Sequence, residues 1–316
     1  MSSSRRSTSV VPALLTMVAI VLLWTCTGDR SVGPDSQPLR LAAATTGTSS
    51  GQVLVGAGDI ARCDRTNDEA TAAIIDTIPG AVFTAGDNTL GTSSAPPDFN
   101  NCYNPSWGQF KARTRPAVGH MEGWSPGYAT YVQYFGAAAG AAGQFYYSYD
   151  LANWHVVVLN TNISMAVGST QEQWLKADLA AHPTQCTIGI WHLPLFSSTS
   201  GNGLPIVNTS VKPLWDDLYA AGATIVINAH YEVYERFAPQ RSNGTADPQL
   251  GIRQFTVGTG GIGTNAFNGG TAANSEVHNT GTPGVLKLTL GATGYTWQFI
   301  HIAGLTFSDS GAGSCH

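Results

Sequence analysis

Six side chains of this sequence are of the types that hold cations, and each stands where an apolar run gives out. Asp59 ends "VLVGAGD", Asp87 and Asn88 end "AVFTAGDN", His120 follows "RPAVG", His192 ends "CTIGIWH", and His230 and Glu232 close "ATIVINAHYE". Residues two apart in an extended chain point to the same side, so His230 and Glu232 can converge on one point. Singly, each has an ordinary explanation. Asp59 can cap a helix, "GDN" is a turn signature, and a lone histidine after "IGIW" is more often a satisfied core residue. As a set, two aspartates, three histidines and a glutamate form an oxygen and nitrogen environment suited to Zn, Mn or Fe rather than to soft ions. His155, inside "NWHVVVLN", reads as a core or cross-strand residue, and His182, His278 and His301 as surface or strand residues.

The runs that carry these residues are rich in Val and Ile and show no alternation, as in strands buried on both faces. Helical segments lie between several of them. Residues 67–78 offer Asn67 as N-cap and acids in the first turn, "STQEQWLKADLAA" opens with Ser169 and Glu172 at capping-box spacing, and "VKPLWDDLYAAG" ends at Gly222. Alternating strand and helix of this kind predicts an α/β fold, in which ligands collect at the carboxyl ends of the strands. Further on, "GIRQFTVGTGG", "GVLKLTL" and "YTWQFIHI" read as strands joined by Gly-rich turns without helices, expected to complete a second sheet packed on the first.

The chain of 316 residues is 43% hydrophobic and only 11% charged, with 36 Gly, which excludes a disordered chain and supplies a sizeable core. Its net charge is −5 and it has no Lys/Arg cluster, so nothing favours nucleic acid or an anionic membrane as partner. Arg5 and Arg6 precede the apolar stretch Val10 to Thr25, which reads as an export signal over residues 1–26. An uncleaved anchor helix is the runner-up, and "LWTC" gives a lipoprotein box at Cys26 as a further reading, so the N-terminus is the one expected membrane tether. Residues 27–51, rich in Ser, Thr, Gly and Pro, read as a flexible linker to a domain over 52–316. Export to the periplasm, cell envelope or exterior agrees with four further cysteines and two disulfides. Of the three connectivities, Cys63–Cys102 with Cys186–Cys315 is favoured; no C-x-x-C pattern suggests a cysteine metal site.

The order D…GDN…GH…H…H, with "CYNPSWGQFK", "YFG", "FYYSYDL", "QEQWL", "WHLPLFSS" and "YERFAP", resembles the calcineurin-type metallophosphoesterases, and among them the exported purple acid phosphatase-like enzymes. The resemblance runs from about residue 53 to the C-terminus. It implies a four-layer α-β-β-α sandwich of two mixed sheets, and a two-metal site that hydrolyses small-molecule phosphate esters by attack of a metal-bound hydroxide.

Carried over residue by residue, Asp59 matches the first-metal aspartate, Asp87 the bridging aspartate, and His192 and His230 second-metal histidines. The departures are specific. The family's Asn-His-Glu is His120-Met121-Glu122 here, a tyrosine is Leu90, a histidine found in other branches is Ala61, and Gly-His-Asp-His is Ala229-His230-Tyr231-Glu232. One site then keeps Asp87, His192 and His230, with His120 in place of the amide. The other keeps Asp59, Asp87 and Glu232. One firm cation and a second that is weak or absent are expected. Met121 cannot protonate a leaving alkoxide, which leaves His120 as the catalytic candidate. The alternative function is a catalytically inactive binding or cell-surface module on the same scaffold. Substrate identity, mono- against diesterase action and oligomeric state are open at this level.

Overall fold

In this computed structural model the described residues are 51–90, 97–184, 186–199, 203–268 and 270–316. The expected export signal, Cys26 and nearly all of the linker lie outside them. Thirteen strands form two mixed sheets. In chain order they are β1 (Gln52–Ala57), β2 (Ala81–Ala85), β3 (Thr114–Ala117), β4 (Tyr147–Leu151), β5 (Trp154–Val158), β6 (Cys186–Ile190) and β7 (Ile225–Asn228). Then come β8 (Tyr234–Phe237), β9 (Arg253–Val257), β10 (Ser275–Asn279), β11 (Gly284–Leu290), β12 (Gly294–His301) and β13 (Asp309–Ser314). The first sheet runs β13-β12-β11-β1-β2-β3 and the second β10-β8-β9-β7-β6-β5-β4. Within them β1, β2 and β3 are mutually parallel, as are β5, β6, β7 and β9; the other pairings are antiparallel.

Continuous apolar strands are explained by two separate cores. Val156 and Val158 of β5 and Ile225 and Ile227 of β7 face the large cluster shared with the first sheet. Val157 and Val226, one residue over, face the other way, into a cluster with Leu175, Leu179, Trp215 and Leu218. Those four belong to helices α3 (Thr170–Ala181) and α4 (Lys212–Ala220), which cover the outer face of the second sheet. Helix α1 (Asn67–Asp76) packs its Ala72 and Ile75 on the first sheet, and the seven-residue α2 (Ala129–Phe135) adds Tyr131 and Phe135. The sequence-expected four-layer sandwich of helices outside two mixed sheets is what is found.

Three local expectations change. The late strands do not all complete the second sheet. Only "GIRQFTVGTGG" does so, through β9 beside β7, whereas β11 pairs antiparallel with the open edge of β1 and brings β12 and β13 back to the first sheet. Helix α1 begins one residue early: Thr66 takes the cap position and Asn67 lies inside the helix. At α3 Ser169 Oγ accepts from Glu172 N at 3.3 Å, but the Glu172 carboxylate reaches back to Gly168 N rather than completing a reciprocal box.

Both favoured disulfides are present, Cys63–Cys102 and Cys186–Cys315. The first staples the loop after β1 to the turn at 99–103; the second ties the last residues to the start of β6. A buried ionic knot adds a tie between the sheets. Asp309 of β13 accepts from Tyr234 Oη at 2.7 Å, Arg236 Nε at 2.7 Å and Trp297 Nε1 at 3.0 Å. Each partner satisfies a group that burial would otherwise leave costly.

Candidate metal centre

The parallel strands of both sheets end at one edge of the sandwich, and their following residues are laced together there. Asp59 N donates to Gly86 O and Ile60 N to Asp87 O, so the loops after β1 and β2 continue side by side. In the second sheet Trp191 N donates to Ile227 O and Ala229 N to His192 O. His192 Nδ1 then crosses to the first sheet, 2.9 Å from Ala85 O. The expected candidates Asp59, Asp87, His192, His230 and Glu232 all sit in these strand ends, and His120 follows the loop after β3.

Four ligand atoms converge. Asp87 Oδ2 lies 2.9 Å from His120 Nδ1 and 3.2 Å from His192 Nε2. His192 Nε2 lies 3.1 Å from His120 Nδ1 and 3.2 Å from His230 Nδ1. These four separations are close to the spacing between neighbouring ligands about a Zn-sized ion, for which metal–ligand distances are roughly 2.0–2.1 Å, and the three histidines form one candidate cation group. The Ala85 carbonyl can only accept, so His192 Nδ1 donates and Nε2 turns a lone pair into the cage. That lone pair meets two other imidazole nitrogens and a carboxylate, an arrangement that repels itself unless a cation or protons occupy it. A second, overlapping group is Asp59, Asp87 and His192. Asp59 Oδ2 there is buried without a hydrogen-bond partner, an orphan acceptor of the sort a cation would satisfy.

Protonation in the protein alone reflects the same crowding. Burial pushes Asp59 well above the usual carboxylate range; the charges of Asp87 and Glu232 add to the rise and His192 opposes it. Burial acts on Asp87 in the same sense, but His192 and His120 outweigh it and hold the carboxyl well below its ordinary value. Burial also works against charge on His192, yet Asp87 and Asp59 push it up to about 9. His230, buried and facing His192 and His120, is pulled down to about 3. Protons thus gather on His192 while His230 stays a neutral base, the form in which imidazole binds metal.

The backbone is bent to make this possible. Asp59 (φ 53°), Asp87 (φ 49°), His230 (φ 77°) and Glu232 (φ 51°) all adopt the left-handed region, four of the eight non-glycine residues that do so among those described. Each costs of order 1–3 kcal/mol, and such strain concentrates at functional sites. Glycine is required where the chain closes on the carboxylates: a Cβ on Gly119 would strike Asp87 N and Oδ1, and one on Gly258 would strike Asp59 Oδ2.

Glu232 stands apart from the ligand groups. Its Oε2 lies beside Gly263, and its carboxyl, raised by burial and by Asp87, is moderated by Arg62 and Arg65. Glu122, in sequence only the third letter of a motif, is wholly buried against the loop that carries Asp87. Its Oε1 accepts from Asn88 N (2.7 Å) and Asn88 Nδ2 (3.3 Å), and its Oε2 from Gly119 N (2.7 Å) and Asp87 N (3.2 Å). It therefore clamps the loop carrying Asp87 to the loop carrying His120. Met121 N donates to Asp87 Oδ1 at 2.9 Å and fixes the carboxylate from the other side. Only a carboxylate separated from its loop partner by more than thirty residues reveals this clamp, and spacing carries no signal of that kind. His155 is the core residue its context suggested: buried, with its two ring nitrogens 2.8 Å from Asp150 and Asp178.

Compared with known proteins, the chain is similar to plant purple acid phosphatases. It is 33% identical to purple acid phosphatase 18 of Arabidopsis thaliana over 129 residues, 39% of this chain and 28% of that one. With purple acid phosphatase 21 of the same plant it shares 34% over 122 residues, 37% of this chain and 26% of the relative. The chain thus spans little more than a quarter of these relatives. No family model matches. Among solved structures, a purple acid phosphatase from yellow lupin (Lupinus luteus) seeds superposes with a TM-score of 0.67 at 19% identity, over 84% of this chain and 54% of the lupin chain. GAP50 of Plasmodium, described as an anchor in the inner membrane complex, gives a TM-score of 0.62 at 12% identity, over 84% and 90%. The expected resemblance holds in sequence and in fold.

Proposed function

We propose that this chain, a relative of the purple acid phosphatases with the calcineurin-type metallophosphoesterase fold, is an exported metal-dependent phosphoesterase with one firmly held cation. The observation that carries this is the convergence of Asp87 Oδ2, His120 Nδ1 and His230 Nδ1 on His192 Nε2, each 3.1–3.2 Å from it. Three imidazoles and one carboxylate suit Zn, and also Mn or Fe. The Asp59 side has two carboxylates and a histidine already committed to the cage, so a second ion there is weak or absent. A cation in the cage offsets charge on the phosphoryl oxygens and lowers the pKa of water toward neutrality.

The rest falls to the chain's own groups. His120, the exposed member of the cage, can serve as a ligand through Nδ1 or as the proton donor to a departing oxygen, but hardly both at once. Met121 offers no proton. A positioned general acid contributes roughly 10²–10⁴-fold, so esters with good leaving groups should be cleaved fastest. Export rests on residues 1–26 as signal and 27–51 as linker, and two disulfides fit an oxidising compartment. Among the described residues no helix is long and apolar enough to cross a membrane.

Metal content of the purified chain, paired with turnover of an aryl phosphate across added Zn, Mn and Fe, tests the proposal. About one equivalent of metal with turnover supports it; no bound metal and no turnover favours the second reading, an inactive binding module, for which Ala61, Leu90 and Met121 speak.

A further inference from the structure

Large apolar side chains stand exposed at five places among the described residues: Trp124 (54%), Val167 (78%), Leu204 (72%), Val207 (52%) and Leu250 (52%). Four of the five lie on three loops that are tied to the metal cage. Trp124 closes the short turn that begins at Met121, two residues beyond the Glu122 clamp. The loop carrying Val167 is held to the cage by Asn162 Nδ2, which donates to Gly119 O at 2.7 Å, one residue before His120. The segment with Leu204 and Val207 is anchored by Asn208 Nδ2, which donates to Tyr231 Oη at 3.1 Å and to Pro194 O at 2.7 Å. Tyr231 in turn packs edge-on against His230, ring centres 4.7 Å apart.

A second, independent feature of these loops is their charge. Residues 121–128, 161–168 and 203–210 read "MEGWSPGY", "TNISMAVG" and "GLPIVNTS", and their single charged residue is Glu122, which is buried. Elsewhere at the centre, Arg62 and Arg65 bear on Glu232. The three loops thus present exposed apolar side chains and no exposed charge. Scattered exposed hydrophobic residues need no explanation, but several carried on loops hydrogen-bonded to one site do.

We propose, resting on the phosphoesterase reading above, that the substrate is a phosphate ester of an apolar alcohol, aryl or alkyl. Its phosphate lies at the cage and its hydrocarbon lies on the loops of Trp124, Val167, Leu204 and Val207. A strongly anionic or cationic group would find no exposed charged partner on those loops. An apolar group gains by covering side chains that water otherwise touches.

The probes are methyl-, butyl- and hexylphosphonate, which cannot be hydrolysed, titrated calorimetrically into the zinc-loaded full chain. Full burial of one methylene is worth about fourfold in affinity, and half-burial on an open rim about twofold. Hexylphosphonate, five methylenes longer than methylphosphonate, is then expected to bind roughly 30-fold more tightly. The double variant Trp124→Ser/Leu204→Ser should reduce that gain to about fivefold, while Leu250→Ser, at the fifth exposed position, keeps the full gain. Methylphosphonate that binds with no gain along the series overturns the inference and leaves the phosphoesterase reading standing. A gain that survives the double variant overturns the assignment to these loops. No methylphosphonate binding overturns the phosphoesterase reading, and the inference falls with it.

Discussion

Replacing Glu122 by glutamine separates a clamp that builds the metal centre from one that merely fills space. Each carboxylate oxygen of Glu122 takes two N–H groups: those of Asn88 at 2.7 and 3.3 Å, and those of Gly119 and Asp87 at 2.7 and 3.2 Å. The change is nearly isosteric, but one oxygen becomes an NH₂ that can only donate. Whichever way the amide turns, two buried donors lose their acceptor and confront another donor. At about 1–3 kcal/mol for each stranded group, Glu122→Gln should lose about 2–6 kcal/mol of stability. Because the clamped loops bear Asp87 and His120, zinc affinity should also fall by roughly 10–100-fold, as it does when partners behind metal ligands are removed. Urea denaturation of the metal-free protein measures the first, and zinc titration against a chromophoric chelator the second. A folded variant with unchanged zinc affinity would refute the positioning role, and unchanged stability would refute the network itself.

The two disulfides should fail differently. By loop entropy, Cys186–Cys315, spanning 129 residues, contributes about 5 kcal/mol and Cys63–Cys102, spanning 39, about 4 kcal/mol. Serine pairs at 186 and 315 should lower the melting temperature and leave zinc affinity intact, whereas serine pairs at 63 and 102 should lower both, because Cys63 lies four residues beyond Asp59. Asp68, buried at the start of α1, has its carboxyl pushed by burial up to about 7, against a hydrogen bond donated by the Ser106 hydroxyl at 2.5 Å. The folded pKa lies above the unfolded value near 3.8, so the native state keeps an extra proton in that window and stability falls as pH rises through it. Between about pH 5 and pH 8 the wild type should lose about 2–3 kcal/mol more than Asp68→Asn; parallel pH–stability curves for the two would contradict this.

The architecture was legible because each buried strand announces itself twice, as an unbroken Val/Ile run and as a polar residue where the run stops. Val156 and Val157 face opposite cores, so both had to be apolar. The destination of the last strands was not legible, since nothing in "GVLKLTL" says whether its partner will be β1 or β9. That choice is made by which edge stands open. At the site, residue types exposed the aspartates and histidines but not their division of labour. Glu232, two residues from His230, shares its side of the strand in an ideal extended chain. The left-handed turns at His230 and Glu232 break that geometry and leave the carboxylate beside Gly263. Glu122 escaped because its role lies in contacts across the fold rather than along the chain.

Four atoms are expected to enclose one ion, and anomalous diffraction from crystals soaked in zinc, at the zinc edge, sees that ion directly. The expected result is a dominant peak about 2.0–2.2 Å from His120 Nδ1, His192 Nε2, His230 Nδ1 and Asp87 Oδ2, with a weaker peak or none beside Asp59. A dominant peak elsewhere, or one that leaves out two or more of these atoms, would contradict it.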